Sequence, residues 1–463
     1  MMSRLIIFFL FLSTSFSFAQ SYDNDLLPAT FHKNRRDALR ALLKDSSVAV
    51  FFANPVRNRA NDVDFQYHQD PNFYYLTGLK ETDAVLLVFK EEFIFKGQKT
   101  NELIFVAPKN PKYELWNGKR LGIDGVNKKL GFNSVYANTE FTDFDCKLSK
   151  LNLVYAINKP IDFTDNEEDA GDLFSIKKAL DKKVADAKIK TKSFELEIMM
   201  DILREIKQPE ELVLLKKAID ISCKAHIELM KTLEPGMHEY QAQAVVEYFF
   251  KNQGSEYTGY PSIVGGGENA CVLHYNTNRK QLNGEELLVV DAGAEYHGYT
   301  ADITRTLPVD GKFSEQELII YNIVLEAQTA GIKACKAGNK FWDPHSATTK
   351  IIKKRLREIG LIKKDEDFQK YFMHGTSHYL GLDVHDAGTF NTLRPNTVIT
   401  VEPGIYIPEG SDCDKKWWNI GVRIEDDILI TETEPINLSV SVPRLAKEVE
   451  EMMKQKSLLN EIK

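Results

Sequence analysis

The 463-residue chain is too long for one ordinary hydrophobic core and reads as two domains. Hydrophobic residues make up 43% and charged residues 27%, the balance of a soluble globular protein. The formal net charge of −8 repels phosphate backbones and argues against nucleic acid as a partner. No window approaches the roughly 20 consecutive apolar residues that span a bilayer.

The chain opens on Met1-Met2-Ser3-Arg4, with one basic residue, followed by an unbroken apolar run from Leu5 to Leu12. Ser17-Phe18-Ala19 then offers small residues at the two positions a signal peptidase reads. The pattern predicts a signal peptide over residues 1–19, cleavage near Ala19, and a periplasmic or secreted product without stable membrane insertion. The apolar run is too short for a membrane anchor. The cysteines Cys146, Cys223, Cys271, Cys335 and Cys413 are scattered, without a Cys-x-x-Cys pair. They read as isolated small core residues, with room for one disulfide.

Residues 20–185 read as a mixed α/β domain. Phe31 to Leu43 has helical spacing, and Val48 to Ala53, Ala84 to Phe89 and Leu103 to Ala107 read as strands. Asn166 to Asp172 is an acidic turn-like stretch. Ile176 to Ile202 then has the look of a single charged connecting helix, and the domain boundary is placed within it at 185/186. The second domain, residues 186–463, begins with helices. Pro209 suits a first-turn position, and Glu210 and Glu211 complement the helix dipole. A second helix is predicted over about 238–251, and two more over about 314–337 and 346–359.

The chemistry lies in the last 200 or so residues. Leu287 to Val290 is an apolar strand running into Asp291, and a turn at 296–298 leads back through Asp302. This reads as a hairpin whose two aspartates meet across the strands. A carboxylate directly after four apolar strand residues is costly to bury without compensation, and a metal ion compensates strongly. The alternative is two exposed aspartates. The pattern recurs where Val398 to Val401 runs into Glu402, and where Arg423 and Glu425, two apart, face one side of a strand.

Between these hairpins, His374, His378 and His385 place three of the ten histidines within a short segment. The Gly375 and Gly381 spacing argues against a regular helix there. Four acids and one imidazole make a mostly oxygen donor set, suited to manganese, magnesium or iron. Five side chains are more than one ion needs, so a two-metal site is the natural reading.

With these motifs in place, the chain resembles the proline-specific branch of the pita-bread metallopeptidases, aminopeptidase P and prolidase. The resemblance implies an α/β (α+β) chain with an N-terminal aminopeptidase P-like domain and a C-terminal pita-bread domain. It implies five metal ligands: Asp291, Asp302, His378, Glu402 and Glu425. Asp302 and Glu425 would bridge two divalent ions, expected to be Mn2+. Asp291 would complete one site, and His378 and Glu402 the other. His274, in Leu273-His274-Tyr275, and His385 match the family's active-site histidines, and Glu402 its proton carrier. Tyr260, His374, Tyr406 and Arg423 match residues that line or order the pocket. Phe73-Tyr74-Tyr75-Leu76-Thr77-Gly78 resembles the family's N-terminal domain. Trp116 also matches, for substrate contact or for a structural role. The implied partners are peptides beginning Xaa-Pro, and family members are often dimers or tetramers. An Xaa-Pro aminopeptidase, an Xaa-Pro dipeptidase and a non-catalytic binding module share this pattern. The full-length N-terminal match favours the first.

Overall fold

The structure is a computed structural model and describes residues 24–145, 148–157 and 171–461. The expected signal peptide, Cys146 and most of the acidic stretch lie outside the described residues. The cysteines within them are all free. Among the described residues no helix is long and apolar enough to cross a membrane.

The N-terminal domain is built on a six-stranded mixed sheet. Its three central strands, Gln98–Val106, Val85–Phe95 and Ser47–Phe52, are antiparallel. Val135–Ala137 joins one side in parallel, and Leu153–Ala156 and Lys190–Lys192 the other. Alternate residues sort the strands onto two cores. Val48, Val50, Val85, Leu87 and Phe105 pack under Phe141, Ile176 and Leu180. Ala49, Phe51, Leu86, Val88 and Ile104 face the other way and merge with the core of the C-terminal domain. The central strands are covered on both faces, which is why they read as continuous apolar runs.

The connecting segment differs from the expected single helix. It divides into helix Leu173–Ala187, strand Lys190–Lys192 and helix Phe194–Glu205. Lys188 takes a left-handed conformation (φ 55°), which ends the first helix and turns the chain onto the sheet edge. The sheet therefore closes at Lys192, beyond the boundary expected at 185/186. Lysines at both ends of this strand suit an exposed edge.

In the C-terminal domain, helices Pro209–Thr232, Glu239–Asn252, Glu315–Ala334 and Asp343–Glu358 flank short antiparallel strands. Pro209 occupies the first turn, and Glu211 reaches back to the Gln208 amide at 2.8 Å.

Candidate metal centre

Two strand pairs build the site, and both break at the level where their carboxylates emerge. In the first, Leu287–Asp291 pairs with Thr304–Pro308, and Ala294–Tyr296 with Tyr299–Thr300. Residues 292–293 and 301–303 form the break between these ladders. The chains approach closely there. A Cβ on Gly293 would lie 1.7 Å from the Ala301 carbonyl oxygen, so only glycine fits. In the second, Val398–Val401 pairs with Asp426–Leu429, and Gly404–Ile407 with Ile420–Arg423. The expected continuous strand through Arg423 and Glu425 is thus interrupted at 424–425. Pro403, opposite the break, has no amide hydrogen to continue the ladder. The Ile424 amide meets its carbonyl only at 3.4 Å. The pairs are tied together where Glu425 donates its amide to the Thr304 carbonyl at 3.1 Å.

These breaks aim the acids inward. Asp302, His378 and Glu425 each offer a ligand atom, and these atoms lie within 4.8 Å of one another. His378 Nε2 is 3.3 Å from Asp302 Oδ2 and 3.5 Å from Glu402 Oε1. The Tyr260 hydroxyl is 2.6 Å from Asp291 Oδ1 and also contacts Asp302 Oδ1. Arg423 Nη2 donates to Asp291 Oδ2 at 2.6 Å, and Thr304 Oγ1 to Glu425 Oε2 at 2.6 Å. All five expected ligands, with Tyr260, His274 and His385, line one cavity of about 280 Å³. A single water occupies about 30 Å³, so there is space for ions and part of a peptide.

His378 has the orientation of a metal-bound imidazole. Its Nδ1 lies 3.0 Å from the Tyr379 carbonyl, to which it donates, and this turns Nε2 toward the carboxylates. The electrostatics point the same way. Burial and Asp291 push Asp302 up, and burial with Asp302 and Glu402 pushes Glu425 well up. Glu402 rises to about 7 through burial, with Asp302 adding to it. Burial works against the charge on His378, but Asp302 and Glu402 raise it to about 9. Burial also opposes charge on Asp291, yet the Arg423 guanidinium holds it low. Asp427 Oδ1 is buried without a hydrogen-bond partner. Four carboxylates share one guanidinium and the His378 imidazole, a deficit of positive charge that divalent ions on oxygen ligands would make good. The residues present fit such ions.

A pH dependence follows. Glu402, Glu425 and Asp302 have folded pKa values above their unfolded ones. Without metal, the stability they allow is complete below about pH 4 and is lost as pH rises toward and past 7. Metal binding needs the same groups deprotonated. The rise in melting temperature on adding a divalent ion to chelator-treated protein is therefore expected to be larger at pH 8 than at pH 5. Equal shifts at both values would show that these groups do not hold the ion.

The other expected residues divide. His374, Tyr406 and Arg423 form one wall. Arg423 donates to the Tyr406 hydroxyl at 2.9 Å, and that hydroxyl donates to His374 Nε2 at 2.9 Å. His374 Nδ1 faces the Gly375 carbonyl at 2.7 Å. Burial and Arg423 lower His374 to about 4, so it is neutral. His385 sits edge-on to His378 with ring centroids 4.4 Å apart. Burial and His378 lower it as well. Trp116 stands apart. It is 86% exposed on helix Pro111–Asn117, which buries no residue, and it does not line the metal cavity.

Sequence reasoning missed Thr304, whose hydroxyl lies between Glu425 and the Arg423 guanidinium. Its place two residues after Asp302, on the same strand face, was a usable signal. It also missed the buried cluster beneath His385. There Asp386 meets Lys207 Nζ at 2.7 Å and also contacts Arg204.

The N-terminal domain grips the tip of the first strand pair. His68 Nε2 is 2.9 Å from Glu295. Tyr296 and His297 both bond Asp25, and His297 with Lys80 bonds Glu256. A second cavity, lined by His68, Glu295, Asp383 and His385, runs along this seam toward the metal centre.

A family model described as Aminopeptidase P, N-terminal domain, matches residues 32–154. One described as Metallopeptidase family M24 matches residues 213–432. An Xaa-Pro aminopeptidase of Haemophilus influenzae is 35% identical, over 92% of this chain and 98% of its own. That of Escherichia coli is 34% identical, over 91% and 97%. The solved structure of Escherichia coli aminopeptidase P with the inhibitor Pro-Leu superposes with a TM-score of 0.83 at 33% identity, covering 92% and 98%. A zinc-substituted form of that enzyme with product superposes equally well, at a TM-score of 0.83. The mixed α/β domain and the kinked strand pairs are thus the N-terminal and pita-bread domains that the resemblance implied, and the chain belongs to the aminopeptidase P group of metallopeptidase family M24.

Proposed function

We propose that this chain is a two-metal Xaa-Pro aminopeptidase that uses manganese and releases the first residue of peptides with proline second. The observation that carries this reading is the single cavity in which five ligand side chains adjoin two free histidines. Two divalent ions held by Asp291, Asp302, His378, Glu402 and Glu425 would lower the pKa of water and polarise the scissile carbonyl.

The chain's own groups do the rest. Glu402, which faces the same cavity, would take a proton from water and return it to the leaving group. The receiving atom is the proline nitrogen, which carries no hydrogen in a peptide and leaves only when protonated. His274 and His385 face the same cavity and can donate to the developing oxyanion, each worth about 10²–10³-fold in rate. The Tyr406–His374 contact fixes a neutral imidazole beside Glu402, a wall that packs a ring without needing to satisfy an N–H donor.

Substrate comparison tests this directly. Replacing the second-position proline by alanine removes ring contacts and buries a new donor, about 1–3 kcal/mol each. Xaa-Pro-Xaa peptides are therefore expected to turn over at least about a hundredfold faster than Xaa-Ala-Xaa. Equal rates would contradict proline selection, and cleavage of Xaa-Pro dipeptides alone would turn the reading to a dipeptidase. The curated relatives of nearly equal length are Xaa-Pro aminopeptidases, which favours the longer substrates.

Export is part of the proposal. It rests on the basic start, the apolar run and Ser17-Phe18-Ala19. Native protein is expected to begin at Gln20, free or cyclised. An intact Met1 or Met2 on N-terminal mass analysis would overturn this.

A further inference from the structure

A cavity of about 380 Å³ at the metal centre is lined by His374, Ser377, Glu402, Arg423 and Phe390. Phe390 is an unusual residue to find there. The residue is 48% exposed, and its backbone is left-handed (φ 54°), a conformation bulky residues seldom adopt. The conformation is held from several sides. Its amide donates to the Tyr379 hydroxyl at 3.1 Å. The preceding Thr389 amide donates to buried Glu205 at 2.9 Å, and the Phe341 amide to the Asn391 carbonyl at 2.7 Å. Beneath the ring lie buried Phe341 and Tyr379, with centroids at 4.9 and 5.2 Å. Beside it Trp342, 52% exposed, lies nearly parallel at 6.4 Å. The result is a rigid aromatic ledge with one side on protein and the other open at the mouth of the catalytic cavity.

The direction of the peptide follows from the proton. Glu402 delivers it to the proline nitrogen, so the departing half begins beside Glu402 and His374. Both residues line the same cavity as Phe390. The seam cavity with His68 and Glu295 contains neither, and shares only His385 with it. The first residue therefore lies toward the seam, and the chain beyond proline runs toward the ledge.

We propose that Phe390, flanked by Trp342, is the subsite for the third residue of the peptide and selects apolar or aromatic side chains there. This rests on the Xaa-Pro aminopeptidase reading and adds a second point of specificity. The test compares kcat/KM of metal-loaded enzyme for amidated Xaa-Pro-Phe and Xaa-Pro-Gly peptides. Wild type is expected to favour the phenylalanine peptide about tenfold, the lower end of what an apolar contact supplies. Phe390→Ala is expected to cut that preference below about twofold, mainly through KM for the phenylalanine peptide, whereas Phe390→Tyr keeps it. Metal content and assembly mass, measured on each variant, report on its integrity. The proposal is overturned by an undiminished preference in Phe390→Ala. It is also overturned by equal losses on both peptides, or by losses that track a change in assembly mass. Failure of wild type to cleave either peptide would instead remove the aminopeptidase reading, and this proposal with it.

Discussion

Replacing Glu425 with glutamine is expected to abolish tight divalent-metal binding and to lower Xaa-Pro cleavage by roughly 10²–10⁴-fold or more, the range lost with an essential catalytic group. Glu425 is 1% exposed and sits in the break between two strands, with one oxygen accepting from Thr304. An amide of the same shape keeps that hydrogen bond but loses the charge that holds a hard cation. The fold is expected to survive. Glu425 contributes to a cluster of buried acids whose mutual repulsion raises several of their pKa values. Without metal at pH 8, the variant should therefore melt no lower than chelator-treated wild type. Metal analysis, activity and a melting curve on one preparation check all three. Full metal content with the activity intact would remove Glu425 from the ligand set. Asp302→Asn is expected to behave alike, since Asp302 faces both Tyr260 and His378.

The largest loss of stability is expected from Asp386→Ala. The carboxylate is 1% exposed and touches both Arg204, 4% exposed, and Lys207, 1% exposed. Arg204 would keep Asp383 at 2.9 Å. Lys207 would keep a carbonyl, that of Arg204 at 2.7 Å, but lose its carboxylate. Leaving a buried cation without its counter-ion costs about 3–5 kcal/mol. Urea unfolding of metal-free protein measures the loss. Because part of it comes from the stranded ammonium, Asp386→Ala combined with Lys207→Met should be less destabilised than Asp386→Ala alone. Strict additivity of the two substitutions would show that Lys207 does not depend on Asp386. Activity should fall in the single variant too, since His385 immediately precedes the lost anchor.

The candidate ligands were legible because an acid that ends a buried, largely apolar strand contradicts the burial its neighbours announce. Asp291 and Glu402 both stand in that position, and the histidine-rich segment lies between them in the chain. The strand breaks were not legible. Arg423 and Glu425 read as neighbours on one strand, and only tertiary pairing shows that the segments on either side of 424–425 join different partners. The division of the connecting segment was hidden for a similar reason. Lys188 carries no helix-ending signal, and the left-handed turn there is imposed by the sheet edge it feeds. Asp386 carries no local sign of its role. Its role depends on Arg204 and Lys207, some 180 residues away, beyond the reach of any local periodicity.

The grip of the N-terminal domain on the tip at residues 294–300 bears on how far this chain is divisible. Asp291 and Asp302 stand at the base of a strand pair whose far end is fastened to Asp25, His68 and Lys80 through Glu295, Tyr296, His297 and Glu256. The same seam is backed by one continuous apolar core. Severing the chain in the connecting segment would not release an autonomous catalytic module. It would leave the metal-bearing arms cantilevered at one end only. The first domain is a splint, and the spacing of two aspartates is set partly by residues that never approach them.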